Sequence, residues 1–122
     1  METFFADSYA LIDYVKGNKH YQQYFQDNKI VTTRLQLIEL YYSTLLDAGE
    51  EKAGMYYDSF LDHCISFEDE SIKRAMKFRY EQRKRKLSYV DALGYQLAKE
   101  QGIKFLTGDI QFEALENVQY VK

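Results

Sequence analysis

The sequence contains no proline, one cysteine and two histidines, and each shortage excludes a type of architecture or site. With no proline, low-complexity tract, repeat or break in composition, nothing marks a linker, so we predict one domain over residues 1–122. The single cysteine, Cys64, excludes an intramolecular disulfide framework and favours a reducing compartment. A zinc site is poorly supplied, because His63 and Cys64 are adjacent and would point to opposite faces of a strand.

Long apolar runs are missing as well. No stretch approaches the roughly 20 apolar residues that a membrane-spanning helix needs. The first ten residues, METFFADSYA, lack the basic and then apolar pattern of a secretory signal. We therefore expect a cytoplasmic protein that makes no contact with the membrane.

Basic residues are concentrated in one segment. The stretch KRAMKFRYEQRKRK, residues 73–86, holds eight of the 16 lysines and arginines, with one glutamate. It therefore carries +7 in a chain of net charge −3, and lies in a long helix predicted over residues 70–86. One basic segment in an acidic protein favours a local contact with a polyanion. The alternative is a solvated helix face, which many charge runs form.

Apolar runs of strand length alternate with segments of helical period, which predicts an α/β domain with a mostly parallel sheet. The predicted strands are Thr3–Ala6, 30–32, 64–67, Lys104–Thr107 and 118–121. The helix that begins after Thr33 is expected to turn one apolar face inward. That predicted face consists of Leu35, Ile38, Tyr42, Leu45 and Leu46.

Two of the predicted strands run directly into an acid. FFADS delivers Asp7 after the first strand, and KFLTGD delivers Asp109 after Gly108 near the other end of the chain. One such acid alone means little, since many only cap the next helix. In parallel sheets, however, ligands bind beyond the carboxyl ends of the strands, where both acids are predicted.

Two further acids stand in predicted helices. Glu39 falls within an apolar stripe, where burying an unpaired carboxylate is costly, so Arg34 or a metal ion should compensate. Asp91 follows Ser88 by three residues, a spacing that either caps the helix or directs the carboxylate along the sheet edge. If all four acids converge, a divalent ion or raised pKa values must relieve their repulsion. Oxygen ligands alone favour Mg²⁺ or Mn²⁺.

The order FADS…LIE…SYVDAL…AKEQGIKFLTGD..F, from Asp7 to Phe112, resembles the PIN domain. This is the ribonuclease fold of the VapC toxins in bacterial and archaeal toxin–antitoxin pairs. The most specific part is DAL…A…GI.FLTGD..F, in which Asp91 and Asp109 are 18 residues apart. The resemblance implies a central five-stranded, mostly parallel sheet flanked by helices, and a groove of acids that binds Mg²⁺ or Mn²⁺.

The resemblance also implies roles for individual residues. The metal-binding and catalytic acids would be Asp7, Glu39, Asp91 and Asp109. Supporting hydroxyls would come from Ser8 and Thr107. The implied reaction is hydrolysis of RNA phosphodiester bonds by a metal-activated water, and the implied partner is a cognate antitoxin. The RNA backbone, or an acidic antitoxin segment, would bind the basic run Arg83, Lys84, Arg85 and Lys86.

Three points stay open at the level of sequence. Gln111 stands where many relatives have another acid, which favours one well-held ion, with a second recruited by the substrate. Paired tyrosines at 41–42 and 56–57 indicate an interface with the antitoxin or with a second copy in a homodimer. The alternatives to a nuclease are a non-catalytic PIN-like module and a receiver-type signalling domain, although a receiver would leave Glu39 and Asp91 unexplained.

Overall fold

The computed structural model describes all 122 residues as a parallel four-stranded sheet with helices on both faces. The strands are β1 (Thr3–Ala6), β2 (Lys29–Val31), β3 (Lys104–Thr107) and β4 (Val118–Tyr120). The helices are α1 (Ser8–Val15), α2 (Lys19–Asp27), α3 (Arg34–Ala48), α4 (Glu50–Phe60), α5 (Asp69–Glu81) and α6 (Tyr89–Gln101). The strand order β2-β1-β3-β4 puts the first strand of the chain beside β3 in the centre.

Alternation along β1 divides the core into two parts. Phe4 belongs to a cluster with residues of α1 to α4, whereas Phe5 belongs to a cluster built mainly by α5 and α6. Successive side chains of a strand point to opposite faces, so the run TFFA can supply both clusters only in the centre of a covered sheet. The predicted α/β fold is confirmed.

The predicted fifth strand is wrong. Residues 64–67 contribute one isolated parallel bridge, between Cys64 and Thr32, and Ile65 donates its N–H to Thr32 O at 2.9 Å. A short 3-10 turn, Leu61–His63, leads into this bridge. The run CISF has strand composition, but the chain passes the sheet edge instead of continuing along it.

The predicted inward face of α3 is also wrong. Ile38 and Leu46 are 58% and 73% exposed, and the residues that α3 buries are Gln36, Leu37, Leu40 and Thr44. Because α3 carries apolar residues around most of its circumference, periodicity alone could not select the buried face. No helix of the protein is long and apolar enough to cross a membrane.

Candidate active site and metal centre

Asp7 stands at the carboxyl end of β1 and begins α1. Its Oδ1 accepts the N–H of Ala10 at 2.9 Å, so the side chain caps the helix. Its own N–H donates to Leu106 O of β3 at 3.2 Å. The apolar run of β1 therefore ends with its acid already below the surface, and Asp7 is only 2% exposed.

Asp109 leaves the carboxyl end of the neighbouring strand. Its N–H donates to Thr107 Oγ1 at 3.0 Å, and its Oδ1 accepts the N–H of Gln111 at 2.9 Å. Ala6 of β1 pairs with Leu106 of β3, so Asp7 and Asp109 emerge at the same edge of the sheet. The sequence argument for a site at this edge predicted that arrangement.

Asp91 lies in the first turn of α6 in a reciprocal capping box with Ser88. The Ser88 N–H donates to Asp91 Oδ2 at 3.1 Å, and the Asp91 N–H donates to Ser88 Oγ at 3.0 Å. Helix α6 packs close to the sheet at Gly94, where an added Cβ would lie 2.8 Å from Gln36 Nε2 and 3.0 Å from Phe5 Cε1. The predicted cap exists, and α6 packs closely against the sheet at Gly94.

Glu39 is half-buried on α3, and its Oε1 is the one buried side-chain oxygen or nitrogen in the protein without a hydrogen-bond partner. Arg34, the sequence-based candidate for its compensating cation, is exposed and forms no ion pair. A buried carboxylate oxygen without a donor is costly, so this atom indicates a missing cationic or hydrogen-bonding group.

Burial and mutual repulsion perturb three of these acids. Burial raises the pKa of the Asp7 carboxyl from 3.8 to about 8, and the charges of Asp91 and Asp109 add to the rise. Burial raises the pKa of Glu39, and the charge of Asp91 raises it further. Burial also raises the pKa of Asp91, with a contribution from Asp109. The four acids are therefore close enough for their charges to interact.

Two hydroxyl groups oppose these shifts. The Thr107 hydroxyl lies at the Asp7 carboxylate and lowers its pKa, and Thr107 Oγ1 also accepts the Asp109 N–H. The Ser8 hydroxyl lowers the pKa of Glu39 in the same way. A hydroxyl that donates to a carboxylate stabilises its charged form. Ser8 thus interacts with Glu39, and Thr107 links Asp7 to the backbone of Asp109.

The carboxylate oxygens of the four acids are chemically suited to a hard divalent ion. Carboxylate oxygens, one of them buried without a hydrogen-bond partner, are the ligands that Mg²⁺ and Mn²⁺ prefer. As the side chains stand, no three acid, histidine or cysteine groups lie close enough together to hold one ion. Binding would therefore require the carboxylates to move together by rotation of their side chains.

Comparison with known proteins decides the family. The PIN domain family model matches residues 4–118, which includes all four acids. The chain belongs to the PIN domain family. This membership excludes the receiver alternative, and no curated protein sequence matches the chain.

Solved structures share the fold of this PIN domain at low sequence identity. The sarcin-ricin-loop-cleaving toxin VapC20 of Mycobacterium tuberculosis superposes with a TM-score of 0.79, at 17% identity, over 98% of this chain and 99% of that chain. A DNA-bound VapBC of Salmonella typhimurium gives 0.77, at 17% identity, over 99% and 98%. A toxin–antitoxin complex of Klebsiella pneumoniae gives 0.74, at 19% identity, over 98% and 96%.

In this PIN domain the basic run turns back toward Asp109. Helix α5 ends at Glu81, before the predicted residue 86, and Arg83–Arg85 form a 3-10 turn. Arg85 Nη1 donates to Gln111 O at 3.3 Å. A groove of about 540 Å³ is lined by Glu81, Gln82, Arg83, Lys84, Arg85 and Gln111. Because the Gln111 N–H donates to Asp109 Oδ1, this basic groove adjoins the acid site.

Sequence reasoning missed Gln36 as a residue that supports the site. Thr33 and Gln36 have the spacing of a capping box, but the Thr33 side chain accepts from Leu35 N–H and bonds to the Gln36 side chain. Gln36 is fully buried, and its Nε2 donates to Val90 O at 3.3 Å, next to Asp91. The T-x-x-Q pattern could have drawn attention to Gln36, but its helix-to-helix bond depends on tertiary packing.

Proposed function

We propose that this PIN domain is a divalent-metal-dependent endoribonuclease, and that it is the toxin of a toxin–antitoxin pair. The unpartnered, buried Oε1 of Glu39 within a set of four interacting carboxylates supports this proposal most directly. Without a cation, the folded protein must keep Asp7 protonated near neutral pH and leave Glu39 Oε1 unsatisfied. A Mg²⁺ or Mn²⁺ ion would relieve both costs.

In this proposal the acids divide the work by their position. Asp7 and Asp109, fixed at neighbouring strand ends, and Asp91 and Glu39, which approach from α6 and α3, would hold the ion. When bound, such an ion lowers the pKa of water and neutralises charge on a phosphodiester. Thr107 and Ser8 would keep the Asp7 and Glu39 carboxylates ionised by donating to them.

We further propose one tightly held ion in the absence of RNA. Position 111, where a further acid would extend the ligand set, holds the amide residue Gln111, whose backbone N–H donates to Asp109 Oδ1. An amide offers a neutral oxygen, which a divalent ion prefers less than a carboxylate. Isothermal titration with Mn²⁺ should give one tight site, and two tight sites without RNA would contradict this assignment.

Cleavage of an RNA pool that contains single-stranded and structured molecules tests the activity. We expect cutting with Mg²⁺ or Mn²⁺, none with a chelator, and a loss of at least about a hundredfold in Asp7→Asn, because a ligand and a charge are removed together. Asp58→Asn, which changes an exposed acid of α4, is the matched control and should cut normally. Asparagine at position 7 can still cap α1, so the variant should fold.

The same experiment addresses the non-catalytic alternative. Folded wild-type protein that binds the RNA pool without cutting it in either metal would favour a PIN-like binding module. Cutting that persists unchanged in Asp7→Asn would point to a contaminating nuclease and leave the proposed site without support.

We propose that the basic groove beside Asp109 holds the RNA backbone. Arg85 is occupied by Gln82 Oε1 at 2.8 Å and by Gln111 O, whereas Lys84 is exposed and makes no hydrogen bond within the protein. Lys84, with Lys86 and the partly free Arg83, would supply phosphate contacts. Charge reversal at Lys84 should weaken RNA binding and reduce its salt slope by about one. Lys52→Glu, an exposed lysine of α4, is the control.

The toxin proposal also requires a surface for a protein partner. Ile38, Tyr42 and Leu46 project from α3 into solvent, and a groove of about 300 Å³ lies between Ile38, Tyr41 and Tyr57. Apolar side chains grouped on one helix face are typical of a protein interface. We propose that a second copy in a homodimer and a cognate antitoxin use this face. The toxin–antitoxin structures that share the fold support the kind of partner.

A further inference from the structure

The segment that follows β4 passes the turn at residues 107–109, which we call the Asp109 corner, and helix α2 holds the segment there. The Val121 N–H donates to Thr107 O at 2.8 Å, and the Tyr21 hydroxyl donates to Val121 O. Val121 is therefore fixed at both polar groups of its backbone, once by β3 and once by α2.

The backbone at Gly108 leaves no space for a side chain. A Cβ added there would overlap Tyr9 Cε1 and would lie 2.5 Å from Val121 O and 2.8 Å from the Tyr21 hydroxyl oxygen. Gly108 joins Thr107 to Asp109, so Val121 O and the Tyr21 hydroxyl occupy the space beside the residue that leads to the fourth acid. Because packed interiors compress little, a displacement of Val121 O or of the Tyr21 hydroxyl would be passed on to this part of the backbone.

Tyr21 itself has little freedom to move. Its side chain is fully buried in the cluster that includes Ala6, Ala10 and Leu106, which surround the carboxyl ends of β1 and β3. Its ring also packs against Tyr9 and Phe25, with centroids 6.5 Å away in each case. A hydroxyl on so fixed a ring can hold a backbone carbonyl in one place.

We propose that Tyr21 is a positioning residue for Asp109. Its hydroxyl fixes Val121 O against Gly108, and this contact sets the direction in which the Asp109 carboxylate leaves the sheet. Tyr21 touches neither the substrate nor the ion. It acts through the backbone of the Asp109 corner. The inference rests on the proposed metal site, since the position of Asp109 matters most where the four acids share an ion.

Tyr21→Phe tests the proposal, with Tyr24→Phe as a matched control on the same helix. Tyr24 accepts a hydrogen bond from Gln119 Nε2 of β4 at 3.3 Å, so the control also loses a link between α2 and the C-terminal segment, but away from Gly108. We expect Tyr21→Phe to weaken Mn²⁺ binding about five- to tenfold and to lower kcat with little change in KM. Tyr24→Phe should leave all three quantities unchanged.

A measurement without metal separates this inference from the proposed function. Amide hydrogen exchange in metal-free protein should be about tenfold faster at Asp109 and Val121 in Tyr21→Phe than in wild type or Tyr24→Phe. Equal exchange rates in the two variants would overturn the positioning role, whatever the protein does with RNA. Wild-type protein that binds no Mn²⁺ would overturn the metal site instead, and the exchange rates would still decide the role of Tyr21.

A double-mutant cycle identifies the residue through which Tyr21 acts. In an Asp109→Asn background, Tyr21→Phe should cause no further loss of Mn²⁺ affinity, whereas additive losses would contradict action through Asp109. Gly108→Ala offers an independent approach if Tyr21→Phe folds poorly, because the added methyl group displaces Val121 O from the other side. It should reproduce the weaker Mn²⁺ binding, and normal binding would count against the proposal.

Discussion

Asp7 combines a structural and a chemical task in one side chain. One carboxylate oxygen caps α1, while burial and neighbouring acids raise the pKa of the group to about 8. The cap requires an oxygen acceptor, which the protonated or the ionised form can supply. Burial disfavours the ionised form of the Asp7 carboxyl. A nearby cation therefore determines whether Asp7 is ionised or protonated near neutral pH.

Metal-free protein should therefore lose stability as the pH rises. Between pH 3.8 and about 8 the folded state holds a proton on Asp7 that the unfolded state has released, so the free energy of unfolding falls across that window and levels off above it. At about 1.4 kcal/mol per pKa unit, the loss from pH 5 to pH 8.5 should be roughly 2–4 kcal/mol. Urea unfolding in the presence of a chelator measures it.

Asp7→Asn is the control for this prediction, because an amide keeps the cap and cannot titrate. The variant should show a much smaller loss of stability between pH 5 and pH 8.5 and should exceed the wild type at pH 8.5. Saturating Mn²⁺ should stabilise the wild type more than the variant. Equal pH dependence in the two proteins would show that Asp7 is not the group responsible.

Helices α3 and α6 bring two of the acids to the sheet and meet each other at a polar contact in the core. Gln36 of α3 donates to Val90 O, and Gly94 of α6 leaves the space that the Gln36 side chain occupies. Glu39 lies about one turn after Gln36, and Asp91 directly follows Val90. The separation of these two carboxylates is therefore set by how closely the helices pack.

Gly94→Ala should destabilise the protein by about 1–3 kcal/mol, because the new Cβ would lie 2.8 Å from Gln36 Nε2 and about 3 Å from two phenylalanine rings. Gly54→Ala is the matched control, since this helical glycine of α4 has open space around it and alanine should stabilise it by up to about 1 kcal/mol. Thermal and urea unfolding would measure both. A neutral result at Gly94 would mean that α6 can move away from the sheet at little cost.

Local sequence predicted the strands that lead to Asp7 and Asp109 better than it predicted which face of a helix is buried. Asp7 and Asp109 follow short apolar strands, and this signal is complete within five or six residues. The buried face of α3 depends on which neighbours cover it, and the fully buried Gln36 is a polar residue that no hydrophobic pattern selects. The strand predicted at 64–67 failed for a similar reason, since strand composition does not ensure a partner for pairing.

The molecule as a whole has a chemically divided surface. The acids and the basic groove meet at the carboxyl edge of the sheet, whereas α3 presents an exposed apolar face. This division matches the uneven charge that the sequence already displayed, but the apolar face was predicted to lie in the core. Its exposure is the physical reason to expect association.

Ile38→Glu should weaken self-association by about tenfold or more, because it places a charge at the centre of the exposed face. Ile72→Glu is the control, since Ile72 is partly exposed on α5, across the sheet from the α3 face. Sedimentation equilibrium over a range of protein concentrations would measure the effect. If both variants behave like wild type, either the protein is a monomer or its copies meet elsewhere.

The pairing of β1 with β3 has a consequence for the synthesis and folding of the protein. Phe5 pairs with Phe105, so the centre of the sheet joins residues 100 positions apart in the chain. During synthesis, β1 leaves the ribosome long before β3 has been made. Strands that lie so far apart in the chain pair late in folding. A nascent chain therefore has no assembled acid site until nearly all of it has been translated. Under the proposed function, the ribosome that makes the chain would meet no complete nuclease site until then.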